Sequence, residues 1–158
     1  MIYVRRKDFT ELKDRIKVKI EGKHYLDIFI WNSYAALLQN TGHAQDDDVG
    51  ATYISTPFLE DNETGERVFS PKYGEMHLVH NKFGGGVFAH ELQHFLLFWI
   101  DDHRLTIMPD EGSPTGTWIA KDTDHERICE LAGAITHRFW IEFFKRGLDG
   151  EEETAAAA

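Results

Sequence analysis

His90, Glu91 and His94 are the residues of this chain whose types and spacing could do chemistry together. They form His-Glu-x-x-His within Gly84-Gly85-Gly86-Val87-Phe88-Ala89-His90-Glu91-Leu92-Gln93-His94-Phe95-Leu96-Leu97. On a helix, positions i and i+4 lie one above the other on one face. His90 and His94 can then turn two imidazoles toward one cation, with Glu91 one step round, beside a metal-bound water. Zinc accepts neutral imidazole nitrogen, and its catalytic sites keep a position open for water. The expectation is one Zn2+ per chain, with Glu91 as general base in a metal-assisted hydrolysis.

The residues around the motif must position it. Val87, Phe88, Leu92, Phe95, Leu96, Leu97, Phe98, Trp99 and Ile100 occupy nearly the whole circumference of a helix starting near Gly86 or Val87. A helix apolar all round is expected to be buried. Burying two histidines and a glutamate without partners would be costly, which favours a metal. The plainer reading is a pair of core histidines hydrogen-bonded to acids.

Two imidazoles leave a catalytic zinc site short of a third protein ligand. His103 follows His94 by nine residues with no glycine or proline between them. On a continuing helix that is a rise of roughly 13 Å, beyond ligand reach. The other candidates lie in a last helix that Thr123 or Asp124 caps. There Glu126, Glu130, Gly133 and His137 fall on one stripe. One carboxylate could bind the metal while the other accepts a hydrogen bond from a ligand imidazole. Gly133 would let the two helices approach closely. Ile128, Leu131, Ala132, Ile135, Phe139, Trp140 and Phe143 form that helix's core face, and Cys129 reads as a small core residue.

A strand, a glycine-rich turn, Phe-Ala-His-Glu-Leu-x-His-Phe-Leu-Leu and a later Glu-bearing helix together resemble a minimal gluzincin metallopeptidase. The ImmA/IrrE-like phage and bacterial peptidases are the nearest in character. The resemblance covers about residues 49 to 146. It implies Glu126 as third zinc ligand and Glu130 as hydrogen-bond partner of a ligand histidine. Cys129 stands where alanine is usual, and Glu130 where aspartate or asparagine is, which leaves the two glutamates open to exchange. The resemblance further implies a protein or peptide substrate, bound in extended form along strand 75–80 by strand addition. His137, His103, Tyr53 and His77 are candidate oxyanion or substrate contacts.

The expected fold is α+β: a small zincin-like domain whose twisted, mostly antiparallel sheet packs on the motif helix and the C-terminal helix. Residues 1–150 form one domain, and 151–158 an acidic, alanine-rich tail. Ile16 to Ile20 and Tyr25 to Ile30 alternate about a turn at Glu21-Gly22-Lys23, giving a hairpin. Upstream, Asp8 would cap a short helix over Phe9 to Leu12. Asn32 or Ser33 caps a helix that Gly42 ends. An acidic loop at 45–48 precedes a strand at Ala51 to Ser55, which Pro57 stops. Arg67 to Phe69 form a brief strand after a turn at 61–65. Lys72 to Gly74 turn the chain into strand 75–80, where His77 and His80 read as surface or edge-strand residues. Residues 104–122 are irregular and could lie over a cleft.

The net charge of −10 disfavours a nucleic-acid partner. A single cysteine and the absence of an apolar leader or span point to a soluble, cytoplasmic protein, and the resemblance implies a phage or prophage origin. The alternative to a peptidase is a binding or regulatory protein of the same fold that keeps a metal site without proteolysis.

Overall fold

The computed structural model describes residues 7–42, 50–106 and 124–150. The loop at 45–48, most of the irregular segment at 104–122 and the tail at 151–158 lie outside these residues. The fold class is α+β. Nine elements follow in the order β1 (Leu12–Lys19), β2 (Tyr25–Trp31), α1 (Tyr34–Thr41), β3 (Ala51–Ser55), β4 (Leu59–Glu60), β5 (Arg67–Val68), β6 (Lys72–Val79), α2 (Gly85–Asp102) and α3 (His125–Lys145). Four strands form a mixed sheet in the order β1-β2-β6-β3, and β4 and β5 pair as a separate small hairpin.

Alternation in the first hairpin does what period-2 patterning requires. Ile16, Val18 and Ile20 point into the main core with Leu26, Ile28 and Ile30 of β2. The short helix expected at residues 8 to 12 is absent. Asp8 instead accepts hydrogen bonds from the Thr10 amide (3.0 Å) and hydroxyl (2.6 Å), closing a turn that feeds directly into β1. α1 forms as its caps dictate. Ser33 accepts from the Ala36 amide, and Gly42, at φ 70°, donates back to Leu38.

β6 departs from expectation in length and position. It starts at Lys72, so residues 72 to 74 are strand rather than turn. Gly74 is where Tyr53 packs closest, since a Cβ there would collide with the phenol. β6 also lies inside the sheet, parallel to β2 on one side and antiparallel to β3 on the other. Its backbone groups are spent on those neighbours, so residues 75–80 cannot take an added substrate strand. The edges belong to β1 and β3.

α2 and α3 cover one face of the sheet. Phe88, Leu92, Phe95 and Trp99 of α2 meet Leu131, Ile135 and Phe139 of α3, with Phe88 and Phe139 stacked at 4.2 Å between ring centroids. The other face carries Phe29, Trp31 and Val79 under α1. Because both faces are covered, β2 and β6 are buried almost throughout. His77 and His80 are therefore not surface residues. His80 hydrogen-bonds the Leu148 carbonyl at 2.8 Å. His77 takes a hydrogen bond from the Trp31 indole (2.9 Å) and donates to Glu75 (3.1 Å). Burial pushes the His77 imidazole below its ordinary pKa, against the pull of Glu75. Burial also pushes the Glu75 carboxyl up, but hydrogen bonds from His77, Lys72 and Lys7 outweigh it and hold the group well below the carboxylate range.

Candidate metal centre

α2 begins after Gly84, whose extended backbone (φ −131°, ψ −165°) delivers the chain from β6 into the helix. His90 and His94 sit one turn apart, with their Nε2 atoms 3.3 Å from each other. Two nitrogens bound at about 2.05 Å to one tetrahedral ion would stand roughly 3.3 Å apart, so the spacing fits zinc without rearrangement. Among the described residues, His90, Glu91 and His94 are the group whose ligand atoms converge, all within 4.8 Å of one another. The donor set of two imidazoles and a carboxylate suits zinc or another borderline divalent ion.

The burial of this group differs from what an all-round apolar helix implies. Both histidines are exposed, and so are Leu97 (62%) and Phe98 (44%) further along α2. The sheet and α3 cover one side of α2 only, and the histidines lie on the other. The desolvation argument therefore applies to Glu91 alone, which is 3% exposed. Burial raises its pKa, partly offset by His94 and His90. A carboxylate shielded from bulk water beside two imidazoles can take and return a proton more readily than a solvated one.

The structure does not bring Glu126 or Glu130 into the group. α3 turns Phe139 and Trp140 to α2, packed on Phe88 at 4.2 and 5.7 Å between ring centroids. Glu130 precedes Phe139 by nine residues, about 180° round the helix. Glu126 and Glu130 are both exposed, and the space around Gly133 is open, so no close helix approach occurs there. The common stripe is real, but it faces solvent. Cys129 is also exposed rather than in the core.

The other candidates are dispersed. His137 is exposed on α3. His103, the residue after α2, stacks on Trp99 (3.9 Å) and Phe69 (4.6 Å) and donates to the Trp99 carbonyl. His77 lies on the α1 side of the sheet, opposite α2. Tyr53 packs its ring on Phe95 and Phe98 of α2, and its buried hydroxyl has no hydrogen-bond partner among the described residues.

One feature of the site escaped the sequence reading. β3 is the strand next to α2, and among the described residues no strand pairs with its outer edge. Gly50 accepts from the Val79 amide and Thr56 donates to the Tyr73 carbonyl. By antiparallel alternation, Ala51, Tyr53 and Ser55 then turn their N–H and C=O groups outward. They have no backbone partner among the described residues. At the opposite edge, Arg138 and Arg146 cap the carbonyls of Lys19 (2.6 Å) and Arg15 (2.9 Å). Pro57, two residues after β3, was the available signal, since proline keeps company with edge strands.

Compared with protein-family models, curated proteins and solved structures, the chain matches none. What is shown is thus the class: an α+β fold whose surface helix presents a group able to hold a metal ion. Among the described residues no helix is long and apolar enough to cross a membrane.

Proposed function

We propose that this protein is a zinc-dependent hydrolase of peptide bonds. The observation that carries the reading is the convergence of His90, Glu91 and His94, with the imidazole nitrogens at the separation a tetrahedral ion requires. His90 and His94 would hold the metal through their imidazole nitrogens. Bound zinc would polarise the scissile carbonyl and lower the pKa of a water. Glu91 accepts the proton from the attacking water and delivers it to the leaving amine. Its burial keeps bulk water from competing for that proton. The substrate lies extended along the outer edge of β3, where Ala51, Tyr53 and Ser55 offer backbone donors and acceptors.

A second reading is favoured by one observation: among the described residues the donor set holds His90, Glu91 and His94, all from α2, and no ligand from another element. On that reading the protein binds a metal for recognition or regulation and hydrolyses nothing. The buried Glu91 speaks for the enzyme, because a binding site has no use for a proton acceptor at that position. A library of unstructured peptides incubated with the zinc-loaded protein and analysed by mass spectrometry separates the two. New peptide termini that vanish with Glu91→Gln support the hydrolase. Stoichiometric zinc binding with intact peptides supports the binding protein.

A further inference from the structure

We propose that a second copy of this chain completes the metal centre, Asp101 of each chain binding the ion that His90 and His94 of the other hold. The inference rests on the metal site of the preceding reading and not on hydrolysis. Zinc takes three protein ligands in a catalytic site and four in a structural one. Among the described residues the converging group lies wholly on α2, in His90, Glu91 and His94, and Glu91 is buried. The two exposed imidazoles therefore stand at least one ligand short among the described residues.

The outer face of α2 carries a stripe that is complementary to itself. His90, His94, Leu97 and Asp101 follow i, i+4, i+7, i+11 spacing, which holds them within about 60° of one another round the helix. All four are exposed, Leu97 to 62%. Leu97 stands between the donors, roughly 7.5 Å along the axis from the midpoint of the histidine pair and roughly 6 Å from Asp101. The two distances differ by one residue's rise, so a two-fold axis at the level between Leu96 and Leu97 equalises them. Such an axis lays two α2 helices antiparallel, and a residue on one side of it meets the residue an equal distance beyond it. Leu97 then packs on its own copy, and at each end of the seam the carboxylate of one chain arrives at the imidazoles of the other. Arg67 takes the Asp101 backbone carbonyl, and the Asp101 carboxylate has no ion pair among the described residues. The charge suits the role, because two neutral imidazoles leave a divalent ion fully charged and one carboxylate halves that charge while a position for water stays open. Phe98 is turned about 100° from Leu97 toward Tyr53, so the seam leaves the β3 flank of α2 to an extended substrate. With one apolar side chain per copy at its centre, the pair has little to hold it without the ion, and zinc binding and dimerisation strengthen each other.

The test is sedimentation velocity of the full chain, metal-free and with one equivalent of zinc, beside calorimetric zinc titration. The expected result is a monomer without metal and a dimer with it, holding one ion per chain. Asp101→Asn keeps the size of the side chain and removes its charge, and at least about tenfold weaker zinc binding and dimerisation are expected. Leu97→Glu should weaken the zinc-bound dimer with every metal donor intact. Both residues are exposed, so the metal-free variants should keep the wild-type unfolding temperature within a few degrees. Mixing Asp101→Asn with the His90→Ala, His94→Ala variant, neither of which binds zinc tightly alone, should restore tight binding at one ion per two chains. A wild type that binds zinc as a monomer, with Asp101→Asn equal to it, would overturn this proposal and leave the metal site standing. So would a dimer holding one ion per two chains that Asp101→Asn does not affect, or a mixture that restores nothing. A wild type that binds no zinc would overturn both readings.

Discussion

Glu91→Gln separates the chemistry of the site from its structure, because the two should move in opposite directions. The carboxyl is 3% exposed, and burial raises its pKa. A carboxyl whose folded-state pKa is raised takes stability away as pH rises through that raised value, because the native state then holds a charge that prefers water. At pH 7.5 in metal-free protein, glutamine fills the same volume without the charge. A gain of about 0.5–2 kcal/mol is expected, as is usual when a functional group held against its preference is removed. For a chain of this size that is a rise in unfolding temperature of roughly 1–8 °C, read by calorimetry after chelation. Hydrolysis should fall by at least about 10²–10⁴, the usual contribution of a positioned general base. Zinc stoichiometry should remain that of the wild type. A variant that is less stable than wild type in the metal-free state would refute the burial argument. One that still hydrolyses peptide at the wild-type rate would refute the role assigned to Glu91.

Other consequences are open to measurement. Ser55→Pro removes an outward N–H from the β3 edge without breaking the ladder to β6, so peptide cleavage should fall about tenfold or more while unfolding temperature changes little. Phe88→Ala deletes a ring that is 1% exposed and stacked on Phe139. It should cost about 3–5 kcal/mol in urea denaturation. His77 has a depressed folded-state pKa, so the unfolded chain binds the proton more readily. Stability should drop as pH falls below about 6.5, and His77→Gln should flatten that part of the profile in thermal melts. Zinc in hundredfold excess over its dissociation constant should stabilise the wild type by about 2.7 kcal/mol, and the His90→Ala, His94→Ala variant not at all.

The parts of this fold legible in the sequence are those that local chemistry decides. Ser33 and Gly42 bound α1, the Ile16–Val18–Ile20 alternation sets the inward face of β1, and His90 and His94 share a face because a helix repeats every 3.6 residues. What the sequence concealed depends on partners far along the chain. The pattern of β6, with Glu75 and His77 among its apolar residues and His80 just after them, reads as an exposed or edge strand, and only its pairing with both β2 and β3 buries it. The stripe of Glu126, Glu130 and Gly133 establishes a shared face but not its direction. Phe139 and Trp140 turn the opposite side of α3 to α2. Leu97 and Phe98 made α2 read as buried all round, yet nothing among the described residues covers them fully. Asp8 illustrates a local ambiguity, for the same side chain that caps helices also closes turns, and Thr10 two residues on decided between them.

The central claim is that His90 and His94 hold a metal ion, and elemental analysis tests it most directly. Protein purified without chelators, incubated with a small excess of zinc and then dialysed should retain close to one zinc per chain by mass spectrometry. The His90→Ala, His94→Ala variant should retain none. A wild type that loses its zinc on dialysis, or a variant that keeps as much, would contradict the account.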